Sequence, residues 1–91
     1  MADPKKFSVQ EQKPEEGFVP DAATASKIAE AIWIPIYGEE LINSQRPFRV
    51  KLNENGVWEV SGSLPPWTLG GVAYIAIQKS DCKILKVIHG E

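Results

Sequence analysis

The chain has little on which covalent chemistry could be built, holding one cysteine, one histidine and one methionine in 91 residues. With Cys82 alone there is no intrachain disulfide framework and no metal set of the CxxC kind, and either redox compartment is tolerated. An excess of positive charge is also missing. Ten Lys and Arg stand against twelve Asp and Glu, for a formal charge of -2, so nothing draws the chain generally toward nucleic acid. The longest apolar run, around Ala31 to Tyr37, falls far short of the roughly 20 residues a membrane-spanning helix needs. What is present is ordinary globular material, 43% hydrophobic and 24% charged, which excludes wholesale disorder. A chain of this length makes one domain and buries only about 60 to 65% of its unfolded surface, leaving little room for an enclosed active-site cavity.

Residues 1–17 are rich in Lys, Glu, Gln and Pro, with Phe7 and Val9 as apolar anchors. Such a segment cannot offset the entropy of its own ordering and reads as a flexible arm ahead of a single domain over 18–91. It contains no apolar h-region, so no signal peptide is expected in it. A native cytoplasmic start and a start placed on a mature exported protein fit equally.

Asp21 followed by Ala22, Ala23 and Ala25 predicts a helix start, because a carboxylate caps free N–H groups and alanine favours helix. Ala25, Ile28, Ala29, Ile32 and Ile36 recur at helical spacing. The predicted helix runs from Asp21 to about Ile34, with Pro35 expected to kink or end it and a short second turn reaching Ile42. From Pro47 the period becomes two, with Phe48, Val50 and Leu52 on one face. Asn55-Gly56 predicts a tight hairpin with positive φ angles, returning along Val57 to Ser63. Val72 to Lys79 and Ile84 to His89 are the remaining strand runs, joined by a turn at Ser80 to Lys83. One amphipathic helix laid across the apolar face of a four-stranded antiparallel meander is the economical packing, an α+β fold.

Between the second and third strands lies Leu64-Pro65-Pro66-Trp67-Thr68-Leu69-Gly70-Gly71. Two prolines restrict the backbone, so presenting Trp67 there costs little ordering entropy on binding. Trp67 belongs to no periodic element, and two roles stay open for it: anchor for a partner, or lid over a small core. Trp33 and Trp58 are expected in the core. Exposed Glu39 and Glu40 after the Pro35 break add an acidic contribution to a candidate contact surface.

The search for catalytic groups yields weak candidates. A Cys82–His89 pair would need a turn cysteine and a strand-end histidine held in fixed geometry. A carboxylate pair drawn from Glu30, Glu39, Glu40 and Glu59 has a simpler reading as surface charge. Gly70-Gly71 leads into a strand, not a helix, and so lacks the dipole of a phosphate cradle. The expectation is a non-enzymatic protein with no cofactor and no metal.

The segments GFVPDAATASKIAEAIWIPIYGEE, PFRVKLNENGVWEVSGSLP and GGVAYIAIQKSDCKILKVIHG together resemble the small bacterial immunity proteins of polymorphic toxin systems, described as having a nuclear-transport-factor-2-like fold. The resemblance covers about Gly17 to Gly90. It implies a protein that binds and neutralises a cognate toxin, encoded in the adjacent gene and delivered by contact-dependent or type VI secretion. It also implies a periplasmic site of action, as for many relatives, with the cytoplasm as the alternative. The chain departs from the pattern in having Cys82 where a turn glycine is usual and in being short for the full cone, so a reduced, cystatin-like outline is expected. Cystatin-type inhibitors combine a glycine, a QxVxG hairpin and a Pro-Trp loop, and Gly17, Trp58-Glu59-Val60-Ser61-Gly62 and Pro66-Trp67 follow that order. A periplasmic inhibitor or regulator of a protease or cell-wall enzyme is therefore the alternative function, although Asn55-Gly56 already occupies the hairpin tip that QxVxG would need.

Overall fold

The computed structural model describes residues 13–90; Phe7, Val9 and most of the expected arm lie outside them. Helix α1 spans Ala22–Tyr37, helix α2 Glu39–Ser44, and strands β1 Arg49–Leu52, β2 Val57–Ser61, β3 Ala73–Gln78 and β4 Ile84–His89 follow. The strands form one antiparallel sheet in the order β1-β2-β3-β4. The α+β architecture expected from the change of period is the one observed.

Asp21 caps α1, its carboxylate accepting from the Thr24 N–H at 2.8 Å and the Thr24 hydroxyl at 2.7 Å. These two bonds, the hydroxyl's first, hold the Asp21 carboxyl below the usual carboxylate range, with a small opposing effect of desolvation and a weaker pull from Lys27. A depressed folded-state pKa means the cap stabilises above the ordinary carboxylate pKa and is lost as pH falls through the folded value. Asp21→Ser, which caps without titrating, should flatten the acid side of a stability-versus-pH profile measured by urea unfolding. Asp21→Ala should lower stability at neutral pH.

Pro35 does not end α1. It sits inside the helix, which continues to Tyr37 and closes where the Gly38 N–H reaches the Ile34 carbonyl at 2.8 Å. One lost backbone bond is outweighed by packing of the last turn against the rest of the molecule. The buried stripe also differs from the expected one: Ala25, Ala29 and Trp33 are fully buried, whereas Ile36 is 57% exposed. An i, i+4 ridge of two alanines lets the helix approach the sheet closely, and rotates Ile36 out.

Under α1 lie Val60, Ile75 and Ile77, all fully buried, each contributing roughly 1.5 to 3 kcal/mol. Trp33 meets Phe48 edge to face with centroids 5.2 Å apart, and the Arg46 guanidinium covers the Phe48 ring at 4.6 Å while pairing with Glu30 at 2.6 Å. Trp58 is buried as expected, and its indole N–H donates to the Val19 carbonyl at 2.7 Å. That carbonyl belongs to a segment tied to the β3–β4 turn by Phe18 N–H to Ser80 and Val19 N–H to Lys79 bonds of 3.0 and 3.1 Å.

The two turns refine the expected ones. In the first, only Gly56 has positive φ, +73°, and its N–H returns to the Asn53 carbonyl at 3.2 Å. The loop is thus Asn53 to Gly56 and not a two-residue turn, because the Asn53 side chain takes the Asn55 and Val57 N–H groups at 2.8 and 3.1 Å. In the second, Cys82 adopts φ +64°, the left-handed conformation that favours glycine. Relief of about 1 to 2 kcal/mol of left-handed strain in Cys82→Gly is opposed by about 0.5 to 1 kcal/mol of backbone entropy and by the loss of a half-buried thiol. The net change in urea-unfolding stability should stay within about 1 kcal/mol, whereas β-branched Cys82→Val should be clearly destabilising.

Candidate functional site

The Leu64 to Gly71 loop is held at both stems by one buried polar residue, Gln45, which is 2% exposed. Its main-chain carbonyl accepts the Ser63 N–H at 2.8 Å, and its side-chain Oε1 accepts the Ala73 N–H at 2.9 Å. Its Nε2 lies 3.0 Å from His89 Nε2, while His89 Nδ1 is 2.7 Å from the Gly90 carbonyl. Both contacts are satisfied by the tautomer that carries its proton on Nδ1, with Nε2 accepting from Gln45. The His89 ring also leans on Tyr37, centroids 5.1 Å apart. Gly62 is required here: a Cβ on it would lie 2.2 Å from Gln45 Oε1 and 2.8 Å from Gln45 Cβ. Gly62 N–H to Ala73 carbonyl (2.9 Å), Gly90 N–H to Val72 carbonyl (3.0 Å) and Ser63 hydroxyl to Pro47 carbonyl (2.7 Å) complete the frame.

Above this frame the loop is a proline-set turn. The Thr68 N–H donates to the Pro65 carbonyl at 3.0 Å, placing Pro66 and Trp67 at its two central positions, with proline where its fixed φ suits. Leu64 is half-buried, Pro65, Pro66 and Thr68 are exposed, Trp67 is 84% exposed and Leu69 97%. Trp67 covers no part of the core, so of its two open roles the lid is not the one seen. Glu39 and Glu40 are exposed in the first turn of α2, where their charge complements the helix dipole, beside a shallow groove lined by Tyr37, Gly38, Leu41 and Asn43. Helix α2 ends at Ser44 with Gln45 as its C-cap, so the acidic pair and both loop stems lie on segments that meet at Gln45.

The catalytic candidates are dispersed. Cys82 lies in the turn before β4 and His89 is the last residue of that strand, so the length of the strand, roughly 17 Å or more, separates them. Glu30 is engaged by Arg46, and Glu59 accepts from Asn53 at 3.0 Å and Tyr74 at 3.3 Å. Burial, followed by the charge of Glu59 and the bond to it, pushes the Tyr74 hydroxyl's pKa up. Among the described residues no group of three His, Cys, Asp or Glu is placed to hold a metal ion. Val60, at the centre of the QxVxG-like stretch, is fully buried within β2, and the Asn53–Gly56 turn forms the hairpin tip.

An exposed loop without a catalytic constellation, on a helix-and-meander scaffold, agrees with a family match. The sequence model of the NTF2-fold immunity proteins matches residues 24–91, the whole of the sheet, the loop and nearly all of α1. The chain belongs to this family. No curated protein and no solved structure gave a match. Membership supports a toxin-immunity role and a toxin as partner, and it points to a non-enzymatic protein. No helix among the described residues is long and apolar enough to cross a membrane.

In this NTF2-fold immunity protein, sequence reasoning missed Gln45 and His89. Gln45 lies in the polar run Asn43-Ser44-Gln45-Arg46, where no period marks one residue for burial. The pattern marks His89 only as a strand end, whereas it is half-buried between Gln45 and Tyr37.

Proposed function

We propose that this immunity protein neutralises a cognate antibacterial toxin by binding over the toxin's active site, using the turn Leu64 to Leu69 with Trp67 as anchor and Glu39 and Glu40 beside it. The observation that carries the reading is an indole 84% exposed on a turn whose stems are fixed by Gln45. A monomeric surface has no reason to stiffen a loop in order to hold a tryptophan in water, whereas a preorganised aromatic anchor lowers the ordering cost of association. The toxin is assigned to the adjacent gene and to contact-dependent or type VI delivery, and the site of action to the periplasm, all from the implications of the resemblance.

Co-expression with the toxin domain encoded next door is the test. The wild-type chain should restore growth and form a stable complex; growth arrest together with no complex would sink the reading. Fractionating cells that express the native gene decides the compartment independently.

A further inference from the structure

The sheet has a second face, opposite α1, and its composition is not that of a plain solvated surface. Register places Arg49, Ser61, Tyr74 and Ile88 in one row across the four strands and Lys51, Glu59, Ala76 and Lys86 in the next. Val50, Val60, Ile75 and Val87, paired in the same register, point the other way into the core. The open face thus carries three cations against one carboxylate in a chain whose net charge is -2. Arg49, Lys51 and Lys86 are exposed, and none forms an ion pair among the described residues. The one carboxylate, Glu59, is already committed to Asn53 and Tyr74, and this bond steadies the Tyr74 ring. A hollow of about 230 Å³ bounded by Arg49, Lys51, Glu59 and Tyr74 opens there.

We infer that this face is a second docking surface, and that its occupant is an acidic surface of the same toxin, with Tyr74 as the central contact and Arg49, Lys51 and Lys86 steering the approach. The inference rests on the immunity reading and deepens it by assigning the partner's charge. An aromatic platform rimmed by long cationic side chains is the composition of a protein-docking patch, since Tyr and Arg are enriched at interface centres. A nucleic acid fits poorly: three phosphate contacts give little affinity at physiological salt, and the Glu59 carboxylate sits among them. The toxin surface bound here is therefore not the basic one with which a nuclease holds its substrate, because like charges facing each other across an interface cost several kcal/mol.

The experiment measures association and dissociation rates with the toxin domain from which the chain protects, at low and high salt. The wild-type association rate should fall about tenfold or more with salt, and the triple variant Arg49→Gln, Lys51→Gln, Lys86→Gln should associate about tenfold more slowly at low salt with little salt dependence left. Tyr74→Ala should raise Kd about tenfold or more through faster dissociation, while Tyr74→Phe should stay near wild type, because the hydroxyl bonds within the chain. Arg49, Lys51 and Lys86 are exposed and Tyr74 is half-buried, so a cooperative melting transition above the assay temperature verifies the fold of each variant. Wild-type rates in the triple variant overturn the proposal while the immunity reading stands, as does a Tyr74→Ala variant with wild-type Kd. A wild-type chain that binds no toxin at any salt overturns both.

Discussion

Trp67→Ala is expected to weaken toxin binding by about 30-fold or more, the equivalent of about 2 kcal/mol for truncating a central aromatic anchor. Its melting temperature should not change, because a side chain 84% exposed contributes little to folding, with surface substitutions usually within about 0.5 kcal/mol. The effect should lie mainly in the dissociation rate. Leu69→Ala, although Leu69 is 97% exposed, should cost less, since leucine carries less area and is under-represented at hot spots. Pro66→Gly keeps every contact atom of Trp67 but frees the turn, and should lose about 1 kcal/mol of affinity through ordering entropy alone. Isothermal titration of the three variants separates anchor from preorganisation. Unchanged affinity in Trp67→Ala, with the fold intact, would remove the loop from the interface and leave the toxin to contact other surfaces.

The largest effect on stability is expected at Gln45. Gln45→Ala removes the acceptor of the buried Ala73 N–H and the donor to His89, and leaves a void against Gly62. One orphaned buried donor costs about 1 to 3 kcal/mol, and the cavity adds to it, so a loss of about 2 to 4 kcal/mol in urea unfolding is the expected result. Gln45→Glu separates packing from hydrogen bonding: the side-chain shape and the acceptor for Ala73 are kept, while a buried carboxylate faces the His89 ring. Amide hydrogen exchange reads the clamp directly. In Gln45→Ala, exchange at Ala73 should accelerate well beyond the change in global stability, because its N–H loses the side-chain acceptor, whereas Ser63 keeps its bond to the residue-45 main-chain carbonyl. Gly62→Ala, which drives a methyl into Gln45, should reproduce the same local loosening from the opposite side. If both variants leave the Ala73 amide protected, the Gln45 side chain is not what holds this stem of the loop.

Trp67 is useful as an anchor only if the turn beneath it is fixed, and that turn is fixed from Gln45, on the far side of a sequence interval that includes β1 and β2. The Glu39-Glu40 pair reaches the same residue through the short helix α2. A substitution in this helix that displaces Gln45 should therefore weaken toxin binding without touching the toxin, which makes the α2–loop connection a positioning device for the proposed interface.

Much of the scaffold was legible in local code. Asp21 with Thr24, the alanine run of α1 and the alternation of β2 to β4 each state their conformation within a few residues, because helix and strand differ in period and in cap chemistry. The Leu64 to Gly71 loop was legible as a stiff turn for the same reason, proline acting on its own φ. Pro35 shows where such reasoning stops: its local cost is real, yet the turn that follows it packs well enough to keep α1 helical to Tyr37. Ile36 shows another limit, since helical spacing allows several stripes and only the sheet selects the one through Ala25, Ala29 and Trp33.

By itself, then, the sequence determined the α+β class, the order of the elements, the resemblance to immunity proteins and the existence of a rigid tryptophan-bearing loop. Tertiary structure alone decided that Trp67 faces water, that Trp58 is satisfied by the Val19 carbonyl 39 residues away, that Gln45 is buried and bonded to His89 across 44 residues, and that the cations of β1 and β4 share one face. The physical reason is the range of the interactions. Backbone dihedral preferences act over a turn or two of chain, whereas the pairing of a buried polar group, or the sign of a surface patch, is set by whichever distant residues the packed sheet brings alongside it.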